Sequence, residues 1–168
     1  MNTFHSCPIE QFDPIIDRIG KDWMLISATD GKAENTMTAS WGCCGFLWNR
    51  PIAVCFVRPQ RFTCPIMESS DHFSLAFFDE THRDALRYCG SHSGRNGDKF
   101  SAAGLTVSHS AQGVPYPAEA TCVLICKKLY VQTMEEDCFV EPSLLSNYAA
   151  GDFHRVFIGE ITEVLCKK

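Results

Sequence analysis

A chain of 168 residues with 45% hydrophobic and 21% charged residues is typical of one globular domain, so we predict a single domain over residues 1–168. The net charge of −5 argues against nucleic acid or an anionic membrane as a partner, because both favour clustered Lys and Arg. The longest apolar run, Ile52–Val57, is too short to span a bilayer. Residues Met1–Ile19 lack the pattern of a secretory signal, so we expect a cytoplasmic protein.

The first predicted element is a β-hairpin. Trp23–Thr29 has strand composition, Asp30–Lys32 is a turn signal, and Asn35–Trp41 is the expected partner strand. The apolar run Ile52–Val57 predicts a third strand.

A short helix is predicted over Thr63–Ser69, with Thr63 as its N-cap. Strand composition returns over His72–Phe78. A second helix is expected over Thr81–Cys89, beginning at Thr81 and ending at Gly90.

The Ser-, Gly- and Asn-rich stretch Ser91–Asp98 predicts a loop, and Lys99–Ala103 a further short helix. Two longer strands are expected over Ala120–Thr133 and His154–Leu165. Strands outnumber helices and lack long helical crossovers, which favours a mainly β (α+β) fold. We predict an antiparallel sheet or barrel with a few short peripheral helices.

The ten cysteines include no C-x-x-C pair, so the sequence predicts no metal site and reduced thiols. Four of them lie in apolar surroundings and are predicted to be small buried hydrophobes: Cys55, Cys89, Cys122 and Cys126. Cys43 and Cys44 directly follow the second predicted strand, and a redox-active or ligand-contacting thiol there is a hypothesis.

The strand Asn35–Trp41 carries the first candidate binding motif. Because side chains alternate along a strand, its hydroxyls and its apolar groups fall on opposite faces. The hydroxyl face holds Thr36, Thr38 and Ser40, and the apolar face holds Met37, Ala39 and Trp41. One face suits an anion and the other a flat ring, whereas the alternative is that the hydroxyls merely occupy the solvent face of an edge strand.

Two further segments supply cations and small residues. Arg58–Thr63 brings arginines and a hydroxyl together, and Ser93–Phe100 places Arg95 and Lys99 in a loop whose glycines allow close approach of an anion. The alternative interpretation of the second segment is a solvated surface loop.

These three segments, in this order, resemble the flavin reductase-like FMN-binding split barrels, especially the flavoredoxin-type branch. The shared motifs are N-x-M-T-x-S-W, R-P-x-R-[YF]-T and Ser-Gly-Arg leading to Asp-Lys-Phe. The resemblance implies an antiparallel split β-barrel, a homodimer, and FMN bound without a covalent link near the subunit interface.

The same resemblance implies which residues surround the cofactor. Those residues are Asn35, Thr36, Met37, Thr38, Ala39, Ser40, Trp41, Arg58, Arg61, Phe62, Thr63, Ser93, Gly94, Arg95 and Lys99. No catalytic side chain is required, because the flavin itself carries the electrons. Many flavin reductases have contiguous Gly-Asp-His before the last strand, but this chain has Phe153 between Asp152 and His154. A role for His154 therefore stays open.

The expected function is an FMN-dependent oxidoreductase that takes hydride from NADH or NADPH and passes electrons to a small-molecule acceptor such as flavin or a metal complex. The alternative is an electron carrier between redox proteins without direct use of nicotinamide. A third hypothesis is a ligand-binding or thiol-sensing barrel without flavin.

Overall fold

The computed structural model describes residues 4–6 and 15–167. Its strands are β1 (Phe4–Ser6), β2 (Met24–Thr29), β3 (Glu34–Ala39), β4 (Gly42–Leu47), β5 (Arg50–Val57), β6 (His72–Phe77), β7 (Val107–His109), β8 (Pro115–Pro117), β9 (Cys122–Thr133) and β10 (Arg155–Lys167). Its α-helices are α1 (Ile15–Gly20), α2 (Thr63–Ser69), α3 (Arg83–Ser91) and α4 (Lys99–Ala102). Short 3-10 helices occupy Glu80–His82, Gly94–Asn96, Glu136–Cys138 and Pro142–Tyr148.

Most strands join one eight-stranded antiparallel sheet in the order β3-β2-β6-β9-β10-β5-β4, with β1 added beside β10. The long strand β10 pairs with β9 along one side. On its other side, the first half of β10 pairs with β5 and its last residues pair with β1. Strands β7 and β8 form a separate two-stranded ribbon. The predicted antiparallel fold with a few short helices is confirmed.

The predicted hairpin is confirmed as β2 paired antiparallel with β3. Its turn is held by the Asp30 carboxylate, which accepts hydrogen bonds from the backbone N–H groups of Lys32 and Ala33, both at 2.9 Å. Gly31 has a φ of 80°, a conformation that glycine adopts without steric cost. The turn chemistry read from the sequence therefore sets the register of this strand pair.

Three predicted helix boundaries are wrong. The N-cap of α2 is Phe62, and the Thr63 hydroxyl instead accepts a hydrogen bond from the Asn35 amide at 2.8 Å. The second helix begins with a 3-10 turn capped by Asp79, whose side chain accepts from the backbone N–H of Thr81. Its α-helical part runs through Gly90 to Ser91. The Thr63 hydroxyl is thus taken by a tertiary partner, whereas the second helix uses a different local cap, Asp79.

Strand β4 was not predicted, because its sequence, Gly-Cys-Cys-Gly-Phe-Leu, lacks β-branched residues. It pairs antiparallel with β5 through a two-residue turn formed by Trp48 and Asn49, whose φ angles of 52° and 57° match a type I′ hairpin. Cys43 and Cys44 therefore lie within a strand and point to opposite faces of the sheet.

Two apolar cores flank the sheet. The larger lies within the curved sheet and includes Met24, Met37, Phe73 and Phe157. The smaller lies between β2, β6 and β9 on one side and α3 and α4 on the other, and it includes Phe100. The second core fixes α3 and α4 beside β3, where the motif residues lie.

Most described cysteines behave as core residues. Cys55, Cys89, Cys122 and Cys126 are buried, as predicted. Cys166 is disulfide-bonded, so the prediction of reduced thiols is wrong for it, and Cys7 lies outside the described residues. Within residues 15–167, no group of three or more His, Cys, Asp or Glu side chains could hold a metal ion.

None of the helices within the described ranges is long and apolar enough to cross a membrane.

Candidate functional site

Most of the motif residues line two adjoining cavities. The aromatic cavity, of about 240 Å³, is lined by Met37, Thr38, Ala39, Ser40, Trp41, Phe56, Arg58, Arg61 and His154. The cationic cavity, of about 110 Å³, is lined by Gln60, Arg61, Phe62, Thr63, Ser91, His92, Ser93, Gly94 and Lys99. Arg61 lines both, so the three sequence motifs meet in one continuous region.

Three predicted site residues lie outside both cavities. Asn35 is buried behind the cationic cavity, where its amide donates to Thr63. Thr36 is fully buried, and its hydroxyl accepts a hydrogen bond from the Ser27 hydroxyl at 2.9 Å. Arg95 is exposed and donates to the main-chain oxygen of Gln60 at 3.1 Å. Asn35 therefore contacts the wall of the cationic cavity from behind, whereas Thr36 joins β3 to β2.

The predicted division of β3 into an anion-binding face and a ring-binding face is not what the structure shows. The hydroxyl face packs beneath α3, where the Thr38 hydroxyl donates to the main-chain oxygen of Leu86. On the opposite face, Met37 and Ala39 enter the larger core. The aromatic cavity is lined by Met37, Thr38 and Ala39, which come from both faces of β3, and β3 ends the strand order, so one of its edges has no paired strand. An edge strand presents main-chain donors and acceptors that no neighbouring strand satisfies.

Two cations meet at the end of α3 without a carboxylate partner. The Arg61 guanidinium donates to the main-chain oxygens of Gly90 at 2.7 Å and Cys89 at 3.3 Å. The Lys99 ammonium donates to the oxygen of Cys89 at 2.6 Å and that of His92 at 3.2 Å. Helix-end carbonyls attract cations through their partial charge but do not neutralise them. Within the described part of the chain, neither cation forms an ion pair with Asp or Glu.

The pKa values of these two groups reflect their burial. Lys99 is only 4% exposed, and this burial, together with the charge of Arg61, lowers its pKa to about 8, although the Cys89 thiol opposes the shift. Burial also lowers the pKa of Arg61. A lowered pKa means that each cation lacks full compensation in its surroundings. The cationic cavity is therefore positioned to accept an anion.

Arg58 differs from these two cations, because its charge is already paired. Its guanidinium contacts the Asp152 carboxylate and donates to the main-chain oxygen of Asn147 at 2.9 Å. The Gln60 amide donates to the same carboxylate at 2.7 Å, and both contacts lower the pKa of Asp152. Arg58 thus ties the loop after β5 to the segment before β10, and closes one side of the aromatic cavity.

His154 lies against the aromatic cavity and is 7% exposed. Its Nδ1 lies 3.0 Å from the Tyr148 hydroxyl, and its ring centroid is 4.9 Å from that of Trp41. Burial lowers its pKa to about 4, with a further contribution from Arg58, against an opposing one from Asp152. The side chain is therefore neutral at physiological pH and held in place by its neighbours.

Sequence reasoning missed one lining residue, Phe56, and the aromatic residues that support His154. Phe56 lies in an apolar run that predicts only a core strand, and Tyr148 is brought to His154 by the 3-10 helix Pro142–Tyr148. Phe153, the inserted residue, stacks on Tyr148 with centroids 4.8 Å apart. The insertion therefore adds an aromatic support behind His154.

Cys43 and Cys44 do not line either cavity. Burial raises the pKa of Cys43, and burial together with nearby thiols raises that of Cys44 to about 12. A raised pKa suppresses the thiolate form on which cysteine reactivity depends. The geometry gives no support to the hypothesis of a ligand-contacting thiol here.

The neutral state of His154 leads to a testable pH dependence. Its folded pKa is below the ordinary value of 6.5, so the unfolded chain binds a proton that the native state does not. The stability associated with neutral His154 is present above pH 6.5 and is lost as the pH falls toward 4. We expect the free energy of unfolding to fall less between pH 7 and pH 5 in a His154→Gln variant than in the natural chain.

Urea unfolding at the two pH values measures this difference. His72→Gln, which replaces a half-buried histidine of β6 outside both cavities, is the matched control for the loss of an imidazole elsewhere in the fold. Equal pH dependence in His154→Gln and the natural chain would contradict the assignment.

Comparison with known proteins identifies similar sequences and folds. A sequence model of the flavin reductase like domain matches residues 16–168. No curated protein matches the chain. Among solved structures, the FMN-binding protein from Thermus thermophilus with bound p-hydroxybenzaldehyde is 22% identical, with a TM-score of 0.69 over 95% of this chain and 79% of that one.

Two further solved structures have related folds. Flavoredoxin from Methanosarcina acetivorans is 22% identical, with a TM-score of 0.66 over 85% of this chain and 67% of that one. The NADH:FAD oxidoreductase from Streptomyces globisporus, in complex with NAD and FAD fragments, is 16% identical, with a TM-score of 0.67 over 88% and 77%. These similarities show the antiparallel split-barrel fold.

Proposed function

Because the chain belongs to the family of flavin reductase-like domains, we propose that it is an FMN-binding oxidoreductase that takes electrons from NADH or NADPH. The acceptor in this proposal is free flavin, a metal complex or another small molecule. The observation that carries the proposal is the pair of carboxylate-free cations, Arg61 and Lys99, beside a cavity with aromatic walls.

The cationic cavity has the chemistry of a phosphate site. A phosphate dianion needs charged and neutral donors at short range, and the ammonium of Lys99 and the guanidinium of Arg61 provide the charged ones. The hydroxyls of Ser91 and Ser93 line the same space. Gly94 also lines it, and a Cβ on Gly94 would lie 2.2 Å from the Asn35 amide oxygen, so only glycine allows the loop to pack this closely against the buried amide. These residues would hold the FMN phosphate.

The aromatic cavity fits a flat heterocycle with one polar edge. Trp41 and Phe56 provide ring surfaces, and the free edge of β3 provides main-chain hydrogen-bonding groups. A flavin bound there supplies the electron-transfer chemistry. The chain's own residues position the ring, exclude water from one side, and present a neutral His154 near it.

His154 does not serve as a proton donor in this proposal. Its pKa of about 4 leaves it neutral near pH 7, and its Nδ1 is engaged by Tyr148. Its contacts with Trp41 and Phe56 instead support the wall of the aromatic cavity. We assign it a positioning role.

The proposal predicts a yellow protein, or an apoprotein that becomes yellow with added FMN. Bound flavin should be reduced when NADH or NADPH is mixed with the protein without oxygen, and the visible absorption spectrum follows both steps. A colourless protein that does not bind added FMN would contradict the proposal that FMN is the cofactor. Flavin that stays oxidised with both nicotinamides would contradict the reductase activity alone.

A second candidate is an electron carrier that exchanges electrons with protein partners. It is favoured by Trp41, which lines the aromatic cavity and is 43% exposed, because an exposed ring beside a redox group suits docking of another protein. Reduction of the bound flavin by a reduced ferredoxin, and not by NADH or NADPH, would select this function.

We also propose a homodimer formed through the outer face of β4, β5, β9 and β10. Residues opposite one another in these strands share that face: Cys43, Val54, Ile158 and Tyr130. This face continues to the β4–β5 turn, where Trp48 is 54% exposed and its ring centroid lies 6.4 Å from that of Tyr130. Contiguous exposed apolar surface is typical of protein interfaces. It continues to Trp41, so a second copy there would lie beside the aromatic cavity.

Replacing Ile158 with Arg tests this interface. A charge at the centre of an apolar interface must be desolvated without a partner, so we expect the variant to be monomeric by light scattering at concentrations where the natural chain is a dimer. Ile16→Arg is the matched control, since Ile16 is 82% exposed on α1 and should leave the dimer intact. A monomeric natural chain, or a dimer unaffected by Ile158→Arg, would contradict this interface.

A further inference from the structure

A third cavity continues from the cationic cavity on the side away from the aromatic one. This outer cavity, of about 580 Å³, is lined by Tyr88, Ser91, His92, Ser93, Asn96, Gly97, Asp98, Lys99, Ser101 and Ala102. Four of its residues also line the cationic cavity: Ser91, His92, Ser93 and Lys99. Its volume is within the range of small-molecule sites. The proposed function assigns it no role.

One wall of the outer cavity is a pair of stacked rings. The centroids of Tyr88 and His92 are 3.9 Å apart and their planes differ by 13°. The imidazole Nδ1 of His92 lies 3.2 Å from the main-chain oxygen of Tyr88 and 3.0 Å from the hydroxyl of Ser91. The pair is therefore fixed in orientation, and an exposed, fixed ring is a platform on which a nucleobase can stack.

The rest of the outer cavity is polar, and Lys99 is the one Lys or Arg side chain among its lining residues. Asn96 and Ser101 line it, and Asp98 uses one carboxylate oxygen to accept from the backbone N–H of Phe100 at 2.9 Å. Carboxylate and amide groups are suited to the hydroxyls of a ribose. Along the protein surface, the aromatic cavity is thus followed by the cationic cavity and then by the outer cavity, which is polar and has a stacked ring pair as one wall.

We propose that the outer cavity is an adenylate subsite, so that the chain takes FAD in preference to FMN. This inference rests on the proposed function, because it places a flavin phosphate in the cationic cavity. The second phosphate of FAD would then lie beside Lys99, the ribose near Asp98, and the adenine against the ring of His92. The subsite adds a stacking contact and ribose contacts that FMN cannot make.

The test compares FAD, FMN and riboflavin binding to the apoprotein by fluorescence titration. We expect FAD to bind more tightly than FMN by roughly 5- to 100-fold, as expected for one stacked base. His92→Ala and Tyr88→Leu should each remove most of that preference, measured as the ratio of the two dissociation constants. His92→Phe should retain it, since phenylalanine restores a ring.

The matched control is His82→Ala. His82 also packs against an aromatic ring, that of Phe78 at 5.6 Å, but lies outside the outer cavity, so its loss should leave the ratio unchanged. Equal affinity for FAD and FMN, or a preference that survives both ring removals, overturns the subsite. If His92→Ala raises the KM for NADH with FMN bound and leaves FAD affinity unchanged, the subsite belongs to the reductant and the proposal is overturned. Failure to bind either flavin overturns the proposed function together with this inference.

Discussion

Replacing Lys99 with Met is expected to lower the affinity for FMN by about 10- to 100-fold while leaving the affinity for riboflavin nearly unchanged. A hydrogen bond to a charged group contributes about 1.5–3 kcal/mol, which corresponds to that range. Riboflavin lacks the phosphate and so does not use the ammonium. Titration of the apoprotein with both ligands measures the ratio.

The same substitution should not destabilise the apoprotein. Lys99 is buried without a carboxylate partner, so its charge is desolvated at a cost that binding of an anion offsets. Methionine has a similar shape and no charge, and Arg61 still donates to the oxygen of Cys89. We expect an unchanged or higher free energy of unfolding, measured with urea.

The lowered pKa of Lys99 also gives opposite pH dependences for stability and binding. The pKa is about 8 in the folded chain, against an ordinary value of 10.5, so between these values the unfolded chain binds the extra proton. The apoprotein should therefore gain stability as the pH rises through this window. FMN affinity should fall over the same window, because the ammonium loses its charge.

Lys128→Met is the matched control for this set of measurements. Lys128 is also half-buried with a lowered pKa, and it donates to the main-chain oxygens of Met67 and Glu68 at 2.8 and 2.6 Å. It lies outside the cavities described above, so FMN affinity should not change. A loss of riboflavin affinity in Lys99→Met equal to the loss of FMN affinity would contradict a phosphate contact.

Replacing Gly94 with Ala is expected to displace the wall of the cationic cavity. A Cβ atom at this position would lie 2.2 Å from the Asn35 amide oxygen and 2.8 Å from the ring of Phe62. Since these distances are far inside van der Waals contact, the loop or both neighbours must move. Overpacking of this kind costs about 1–3 kcal/mol, and FMN affinity should fall with it, because the same loop carries Ser93.

Gly20→Ala is the control, because a Cβ on Gly20 meets nothing within 4 Å. Thermal unfolding and FMN titration of both variants measure the effect. In Gly94→Ala combined with Asn35→Ser, the losses should be less than additive, since serine lacks the amide oxygen that clashes. Full additivity would show that Gly94 and Asn35 do not share the space between them.

Most of the residues that the resemblance placed around the cofactor line one of the two cavities, and their contact with a cofactor stays a prediction. Lys99 and Arg61 come from separate motifs and meet at one helix end. That meeting could be predicted only through the resemblance, because no local rule relates a loop after β5 to the start of α4. The β2–β3 hairpin, by contrast, followed from its own turn residues.

The predicted roles of individual hydroxyls did not follow from alternation along the strand. Alternation correctly separates Thr36 from Met37, but it cannot say which face a later helix will cover. Here α3 covers the hydroxyl face and takes the Thr38 hydroxyl as a partner. Tyr148 was missed for a similar reason. Its contact with His154 depends on the path of the chain before β10, which no local sequence pattern predicts.

The contacts of Arg61 and Lys99 with the end of α3 affect the association rate of an anionic ligand. Amide dipoles fix both cations without cancelling them, so a small positive region persists on a chain of net charge −5. At long range the acidic surface repels a phosphate, and at short range the two cations attract it. Added salt should screen the distant repulsion first, so that FMN association is slowed by ionic strength far less than association with a uniformly basic protein.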